Sequence, residues 1–293
     1  MAQNIPLAVG LQVIGSFCFA LSAHLQNSAV MGEVSDAEEK KRLSSRQLWK
    51  SIRSPRWMLG LALLGVSLLC QITALVFAPV SVVQPVGLLA FPWSMLLQAY
   101  SAHQRIHRKV LGAMLFTVAA TFGFTVLVSF NAAPDRDLIV WKVIVGALVV
   151  YAIAGSLGRI GAHGPKAWRS LAWASGGAMF YGLEAALVKS LIHFVGTHEW
   201  WADPAFWAIV VLLVVGSATA GWMIQQGYAT GPAELVVASM TITSPVVAVA
   251  FGIAVLGEGA NFSVLVGIAV LLLGLVAVAG VIMLTHVHKG FDK

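Results

Sequence analysis

The fold is decided by a stretch without a single charged residue, Trp57–Gln104, which reads WMLGLALLGVSLLCQITALVFAPVSVVQPVGLLAFPWSMLLQAYSAHQ. A helix that spans the hydrocarbon core of a bilayer needs about 20 predominantly apolar residues. The stretch is long enough for two such helices, and Pro79 stands where the chain would turn between them. It therefore predicts two consecutive transmembrane helices.

The composition of the whole chain agrees with this prediction. Hydrophobic residues make up 59% of the 293 residues and charged residues only 10%, whereas soluble domains carry about 25% charged residues. The first apolar segment, Ala2–Gly32, has no basic n-region and no clear cleavage site, so we expect it to remain as a helix. Cys18 and Cys70 fall inside predicted spans, where they are expected to pack as small apolar residues rather than as a disulfide.

Apolar runs along the chain predict an all-α integral membrane protein with about nine transmembrane helices. The predicted spans are Ile5–Val30, Trp57–Ala78, Val80–Tyr100, Val110–Phe130, Leu138–Leu157, Leu171–Val195, Pro204–Tyr228, Pro232–Leu256 and Phe262–Thr285.

The distribution of basic residues predicts the orientation of these spans. Most of the 18 Lys and Arg residues lie in the loops after spans one, three and five and in the C-terminal tail. The positive-inside rule then places the N-terminus outside and the C-terminus in the cytoplasm of a cell-membrane protein. The same rule accounts for the net charge of +6, so no nucleic-acid partner is expected.

Two segments of the chain resemble each other. Gly15–Ser28 reads GSFCFALSAHLQNS, and Gly177–Ser190 reads GAMFYGLEAALVKS, so that Gly15 aligns with Gly177 and Ser28 with Ser190. A shift of five spans makes the two halves antiparallel, which is the inverted-repeat plan of many secondary transporters. We predict a first four-helix repeat at 1–130, a linking helix with its loops at 131–165, and a second four-helix repeat at 166–293.

Prolines interrupt the third helix of each predicted repeat. Pro85 and Pro92 fall in span three and Pro245 in span eight, and a proline inside a helix removes a hydrogen bond and kinks the chain. Interruptions at corresponding positions of two repeats indicate a central binding site. The alternative is a packing kink without ligand contact.

Two charged residues lie inside span six. Placing the charges of Glu184 and Lys189 at that depth costs free energy, so charged residues inside a membrane are by default expected to have a function. Their spacing of five residues does not make an ideal pair on one helix face, so each is expected to have its own partner. In the repeat alignment they match Ser22 and Asn27. The alternative is that both are structural groups satisfied by neighbouring helices.

Uncharged polar and aromatic side chains complete the set of candidate substrate-binding residues: Gln71, Gln84, Tyr181 and Tyr228. Each could equally be a hydrogen bonder between packed helices. Glu258 lies near a span end, where solvation at the interface is the default expectation. The chain contains no recognisable catalytic constellation or phosphate-binding loop, so neither an enzyme, a metal site nor a cofactor is expected.

The stretch Ala78–Gly87, APVSVVQPVG, resembles the start of the third helix in the drug/metabolite transporter superfamily, particularly its NIPA-like and EamA-like branch. The Gly-rich spans Leu111–Leu127 and Val264–Gly280 are similar to the helices that close each half in that superfamily, and Lys189 falls where many members carry a lysine. The resemblance implies a secondary transporter with a cavity between two inverted halves. Magnesium is a substrate expected for the NIPA-type branch, but this chain has Leu69-Cys70-Gln71 where an acidic residue is expected.

The sequence thus predicts a secondary transporter that moves a small organic metabolite or an amphiphile by alternating access. Glu184 is the expected coupling site and Lys189 the partner of an anionic group or of a loop. Open alternatives are a flippase for lipids or polyprenyl carriers, a divalent-cation transporter for Mg²⁺, and a non-transporting membrane subunit. The expected partners are a small-molecule or lipid substrate and membrane lipids, with a homodimer possible through small-xxx-small packing.

Overall fold

A computed structural model of the chain describes residues 3–35, 54–101, 108–133, 138–197, 199–230 and 233–289. Throughout these ranges the regular secondary structure is helical, with no strand. Among the described residues, one short 3₁₀ helix, Trp200–Ala202, accompanies ten α-helices. The α-helices are α1 (Ile5–Ser35), α2 (Pro55–Phe77), α3 (Val80–Gly87), α4 (Ala90–Ser101), α5 (Arg108–Asn131), α6 (Val140–His163), α7 (Lys166–Thr197), α8 (Pro204–Thr230), α9 (Ala233–Ala254) and α10 (Val264–Lys289).

Seven segments of the described chain are long and apolar enough to cross a membrane: Ile5–Gln26, Pro55–Phe77, Val80–Ser101, Met114–Asn131, Val140–His163, Trp168–Gly196 and Pro204–Gly227. Within the described residues, α9 and α10 add the apolar stretches Ser239–Ala254 and Val264–Ala277. The protein is therefore an all-helical, multi-pass membrane protein, and the number nine stays a prediction.

The outer surface of the bundle is apolar. Large hydrophobic side chains such as Leu69, Phe122, Val211 and Leu265 are exposed on different helices. In water such a surface would be a contiguous hydrophobic patch of a kind that soluble monomers rarely expose. In a bilayer the same side chains contact lipid tails, so the apolar surface is what a membrane requires.

The predicted interruption of the third span is present. α3 ends at Gly87 and α4 begins at Ala90, and the intervening Leu88 and Leu89 donate to the carbonyls of Pro85 and Val86 at 3.0 and 3.1 Å. These bonds reach back only three residues, as in a 3₁₀ turn, and they mark the end of α3 two residues after Pro85. Pro92 lies in the first turn of α4, where a proline is well tolerated.

The predicted break at Pro245 was wrong. α9 runs through this residue from Ala233 to Ala254. A proline removes one hydrogen bond but does not by itself end a long helix that is held by packing. Here α7 approaches so closely that a Cβ on Gly182 would lie 2.3 Å from the carbonyl oxygen of Ser244.

The helices pack in a recurring pattern. α1 packs extensively on α2 and also contacts α3 and α4, while α7 packs on α8 and α9. α5 packs on α10, α3 contacts α9, and α6 lies against α7 and α8. One buried cluster includes Leu75, Val82, Val128, Ala248 and Val270 from five different helices, and a second gathers side chains of α6, α7, α8 and α9.

Small and hydroxyl-bearing residues join α1 to α2. The Ser22 hydroxyl donates to the carbonyl oxygen of Gly60 at 2.7 Å, and the Ser67 hydroxyl donates to that of Gly15 at 2.8 Å. A Cβ on Gly60 would lie 2.8 Å from Cγ of Gln26. The two helices therefore approach at glycine and are bonded by serine, as is common where transmembrane helices pack closely.

Candidate functional site

The junction between α2 and α3 is held by a lysine from α7. The Lys189 ammonium donates to the carbonyl oxygens of Leu75 at 2.7 Å and Ala78 at 3.3 Å. The last carbonyls of a helix have no partner within the helix, and a cation at the carboxyl end is favoured by the helix dipole. Lys189 therefore caps the end of α2, although it is only 6% exposed.

A glutamate holds the other side of the same junction. The two carboxylate oxygens of Glu258 accept from the backbone N–H groups of Val80 at 2.6 Å and Ser81 at 2.8 Å. These are first-turn donors of α3, which an anion satisfies and which the helix dipole makes favourable. Glu258 is 5% exposed, so the expectation of a solvated interface residue was wrong.

The space for this carboxylate is created by glycine. A Cβ on Gly252 would lie 2.4 Å from Oε2 of Glu258, so a larger residue at 252 requires the carboxylate to move. Gly257 adopts a positive φ of 77°, a conformation that glycine adopts without strain. The turn after α9 thereby directs Glu258 back to the N-terminus of α3.

The electrostatics of Glu258 combine opposing effects. Burial raises the pKa of its carboxyl group, whereas hydrogen bonds from Ser81 and Val80 and the positive charge of Lys189 lower it, and the balance is a raised pKa. Taking charges out of water is costly unless they are paired and hydrogen-bonded. Lys189 and Glu258 are each hydrogen-bonded to backbone groups of the α2–α3 junction, and the charge of Lys189 acts on the carboxylate of Glu258.

Backbone hydrogen bonds tie further segments to this end of the bundle. Asn4 donates to the carbonyl of Phe77 at 3.0 Å, and Ala133 donates to the carbonyl of Glu258 at 2.8 Å. We define the junction clamp as Lys189 and Glu258 together with the backbone groups they bond, those of Leu75, Ala78, Val80 and Ser81.

Glu184 occupies a separate position. Its Oε1 accepts from the hydroxyl of Ser217 on α8 at 3.0 Å, and its side chain is half-buried. Ser217 also lies 2.9 Å from the carbonyl of Leu213. The expectation that Glu184 and Lys189 have different partners is confirmed, since one faces α8 and the other the α2–α3 junction.

An apolar cleft of about 380 Å³ lies between α3, α5, α9 and α10. Pro85 and Pro245, the prolines of the two predicted interrupted helices, both line it, together with Phe124 and Thr241. Val246 and Leu271, which also line the cleft, are 51% and 63% exposed. The cleft therefore opens between α9 and α10 on the lipid-facing surface.

The other predicted site residues do not gather around the cleft. Ser22 joins α1 to α2, Gln71 and Gln84 are half-buried on α2 and α3, and Tyr181 packs against apolar clusters of the second half. Pro92 is buried in α4. The side chains of Asn27 and Tyr228 lie outside the described residues.

The sequence analysis did not identify Glu258 as a buried residue that bonds the N-terminus of α3. The signal that could have found it is its position as a lone acidic residue between two long charge-free runs, Leu235–Gly257 and Gly259–His288.

In the part of the chain that the structure describes, no group of three or more His, Cys, Asp or Glu side chains could hold a metal ion.

No protein-family model, no curated protein and no solved structure matches this chain. The function therefore has to be inferred from the chain's own residues.

Proposed function

We propose that the chain is a secondary membrane transporter that moves a small organic solute or amphiphile by alternating access. The observation that carries the proposal is the apolar cleft in which Pro85 and Pro245 face the same space. A cleft lined by apolar side chains and a few polar ones is the usual form of a small-molecule site. One helix of its wall, α3, ends at Gly87 within its span, and interrupted helices beside a binding site are typical of transporters.

The pairing of helices supports nine spans arranged as an inverted repeat. If α3 and α4 count as one span, α1 packs on the second and third spans, as α7 packs on the seventh and eighth. The fourth and ninth spans, α5 and α10, pack on each other. An inverted repeat with α6 as the linking helix produces this set of contacts, and it is the arrangement that the resemblance to the drug/metabolite transporter superfamily implies.

Polar contacts within the two halves support the same arrangement. Ser67 on α2 donates to a glycine carbonyl on α1, and Ser170 on α7 donates to the carbonyl of Gly227 on α8 at 3.0 Å. Ser22 and Glu184, which align in the repeat, each bond the following span of their own half. The first two helices of each half are thus held by comparable hydrogen bonds.

The cleft indicates the chemistry of the substrate. Its walls are formed by residues such as Leu88, Phe124, Val249 and Val270, with Thr241 as a polar exception. Burying an apolar group there gains roughly 25 cal/mol per Å² of surface removed from water. An apolar moiety is therefore the part of the substrate that this cleft would bind, and a polar headgroup would remain outside it.

Glu184 is the proposed coupling residue. It is a half-buried acid within a predicted span and has a hydroxyl partner on α8. A carboxyl group in such a position can gain and lose a proton as its surroundings change between two conformations.

The positive-inside rule assigns the cytoplasmic side of the protein. With this orientation the α2–α3 junction lies at the outer end of the bundle.

A ligand screen tests this proposal. The purified protein in mild detergent is heated with metabolites, amphiphiles or lipids, in wild type and in Ala250→Trp, which fills a wall position of the cleft. A ligand at a hundredfold excess over its dissociation constant stabilises the native state by about 2.7 kcal/mol. We expect a soluble solute or amphiphile to stabilise wild type but not Ala250→Trp.

The matched control is Ala152→Trp, because Ala152 is also exposed but lies on α6 away from the cleft. It should respond to the ligand as wild type does. Equal stabilisation of all three proteins would exclude the cleft as the binding site.

A lipid flippase is the second candidate, and the opening of the cleft toward the bilayer between α9 and α10 favours it. A flippase must admit acyl chains from the side while its substrate headgroup crosses. Mass spectrometry of lipid that remains bound through purification distinguishes the two candidates. One lipid class retained by wild type and lost in Ala250→Trp would favour the flippase.

A further inference from the structure

The junction clamp joins two parts of the chain that are far apart in sequence. Both charged side chains, Lys189 and Glu258, come from the segment after α6, whereas the backbone groups that they bond in the clamp lie between Leu75 and Ser81. Their four hydrogen bonds therefore connect the second half to the first at one point. The clamp binds the turn between two spans rather than the middle of either helix.

The partners of the clamp are groups that can exist in two environments. The terminal N–H and C=O groups of a helix have no partner inside the helix and can be satisfied equally well by side chains or by water. Separation of Lys189 and Glu258 from the junction would therefore expose groups that hydrate readily. In the closed arrangement the same groups are shielded, since Ala78, Val80 and Ser81 are all buried.

The clamp and the cleft share their helices. α3 contributes Val80 and Ser81 to the clamp at its first turn and Pro85 to the cleft near its end. On α9, Gly252 makes room for the clamp carboxylate and its neighbour Ile253 lines the cleft. A movement of α3 relative to α9 that opened this end of the bundle would therefore break the clamp.

We propose that Lys189 and Glu258 form the gate at the α2–α3 end of the cleft. They bond the junction when this end is closed and release it when this end opens to solvent. This inference rests on the proposed transport function. To that function it adds the two residues that close one end of the cleft and the backbone groups that these residues bond.

Cysteine accessibility tests the gate. Ser81→Cys is introduced after Cys18 and Cys70 have been replaced by alanine, and the protein in sealed vesicles or cells is treated with a membrane-impermeant maleimide. With the clamp intact we expect slow labelling, because Ser81 is buried. Adding Glu258→Ala should raise the labelling rate of Ser81→Cys by about tenfold or more, corresponding to about 1.4 kcal/mol in the opening equilibrium.

A second variant disturbs the clamp without removing a charge. Gly252→Ala places a methyl group on the Glu258 carboxylate and should raise labelling of Ser81→Cys in the same direction. Gly155→Ala is its matched control, since nothing lies within 4 Å of a Cβ at that glycine. This pair keeps the test decisive if Glu258→Ala does not fold.

Val143→Cys separates opening of the gate from general unfolding. Val143 is buried at the same end of the bundle, in the cluster with Leu187 and Phe206. It should stay unlabelled in Glu258→Ala and in Gly252→Ala. Equal increases in labelling rate at Val143→Cys and Ser81→Cys would mean that the clamp only stabilises the fold, and would overturn the gate.

The dependence of the Ser81→Cys labelling rate on a solute distinguishes a gate from a purely structural contact. In the intact clamp, the labelling rate of Ser81→Cys should change when a transported solute shifts the protein between its two conformations. Labelling that ignores both the clamp substitutions and the solute would overturn the gate even if transport is measured. Absence of transport with labelling that still follows the clamp would instead refute the proposed function and leave the gate residues assigned.

Discussion

The carboxylate of Glu258 and the backbone N–H of Ser81 form a hydrogen bond of 2.8 Å across 177 positions of sequence. Together with the bonds that Lys189 donates to Leu75 and Ala78, it fixes the turn between α2 and α3 with charge from another part of the chain. The bond is made in a site where both charged side chains are buried. Its loss should therefore be measurable in stability as well as in accessibility.

Replacing Glu258 with alanine should destabilise the protein. Two buried N–H groups of α3 lose their acceptor, and a buried polar group left without a partner costs about 1–3 kcal/mol. Thermal unfolding in detergent measures the change. Glu199→Ala, at an exposed position, should stay within about 0.5 kcal/mol of wild type.

Lys189 and Glu258 should be energetically coupled. Lys189→Met and Glu258→Ala each leave one buried charge without its opposite, whereas the double variant leaves neither. The double variant should therefore lose less stability than the sum of the two single losses, with a coupling of about 0.5–3 kcal/mol. A double-mutant cycle with strictly additive losses would show that the two charges do not act together.

The raised pKa of Glu258 has a consequence for pH. The folded protein binds this proton more tightly than the unfolded chain, in which the pKa is ordinary, near 4.5. The contribution of Glu258 to the free energy of unfolding should therefore increase as the pH falls through the raised pKa, and should level off below 4.5.

Glu258→Gln replaces the titrating carboxyl group by an amide, so the variant should lose this part of the pH dependence. The measurement is the melting temperature of wild type and variant across the same pH series, compared as a difference. A difference that is constant with pH, or that grows in the opposite direction, would contradict the raised pKa.

Glu184 should matter for coupling rather than for binding. Glu184→Gln removes the titrating group but keeps an acceptor for Ser217, so we expect transport that no longer depends on a proton gradient while the solute still binds. Uptake into vesicles with and without the gradient measures this. Glu199→Gln, at an exposed position, is the control and should keep the dependence.

The helical membrane fold could be predicted from sequence because it depends on local composition. Charge-free runs such as Trp57–Gln104 predict helices in lipid whatever their neighbours are, and Pro85 indicates an irregular helix in span three, where α3 ends at Gly87. The effect of Pro245 could not be predicted in the same way. Its helix is held by the close approach of α7 at Gly182, which is a tertiary contact.

The clamp depends on contacts between distant segments, which no local sequence pattern shows. Lys189 was expected to bind an anionic group or a loop, but the sequence could not indicate that its partners are carbonyls of a turn more than a hundred residues away. Glu258 lies outside any span and was expected to be hydrated. Its burial is decided by the space at Gly252 and by the free N–H groups of α3, neither of which has a local pattern.

Uptake of a radiolabelled solute into proteoliposomes measures transport through the cleft. The solute is the one that the thermal screen identifies, and the proteins are wild type, Ala250→Trp and the control Ala152→Trp. We expect saturable uptake by wild type and Ala152→Trp and a loss of at least tenfold in Ala250→Trp. Uptake that equals that of protein-free liposomes, or that is unchanged in Ala250→Trp, would contradict a transporter that works through this cleft.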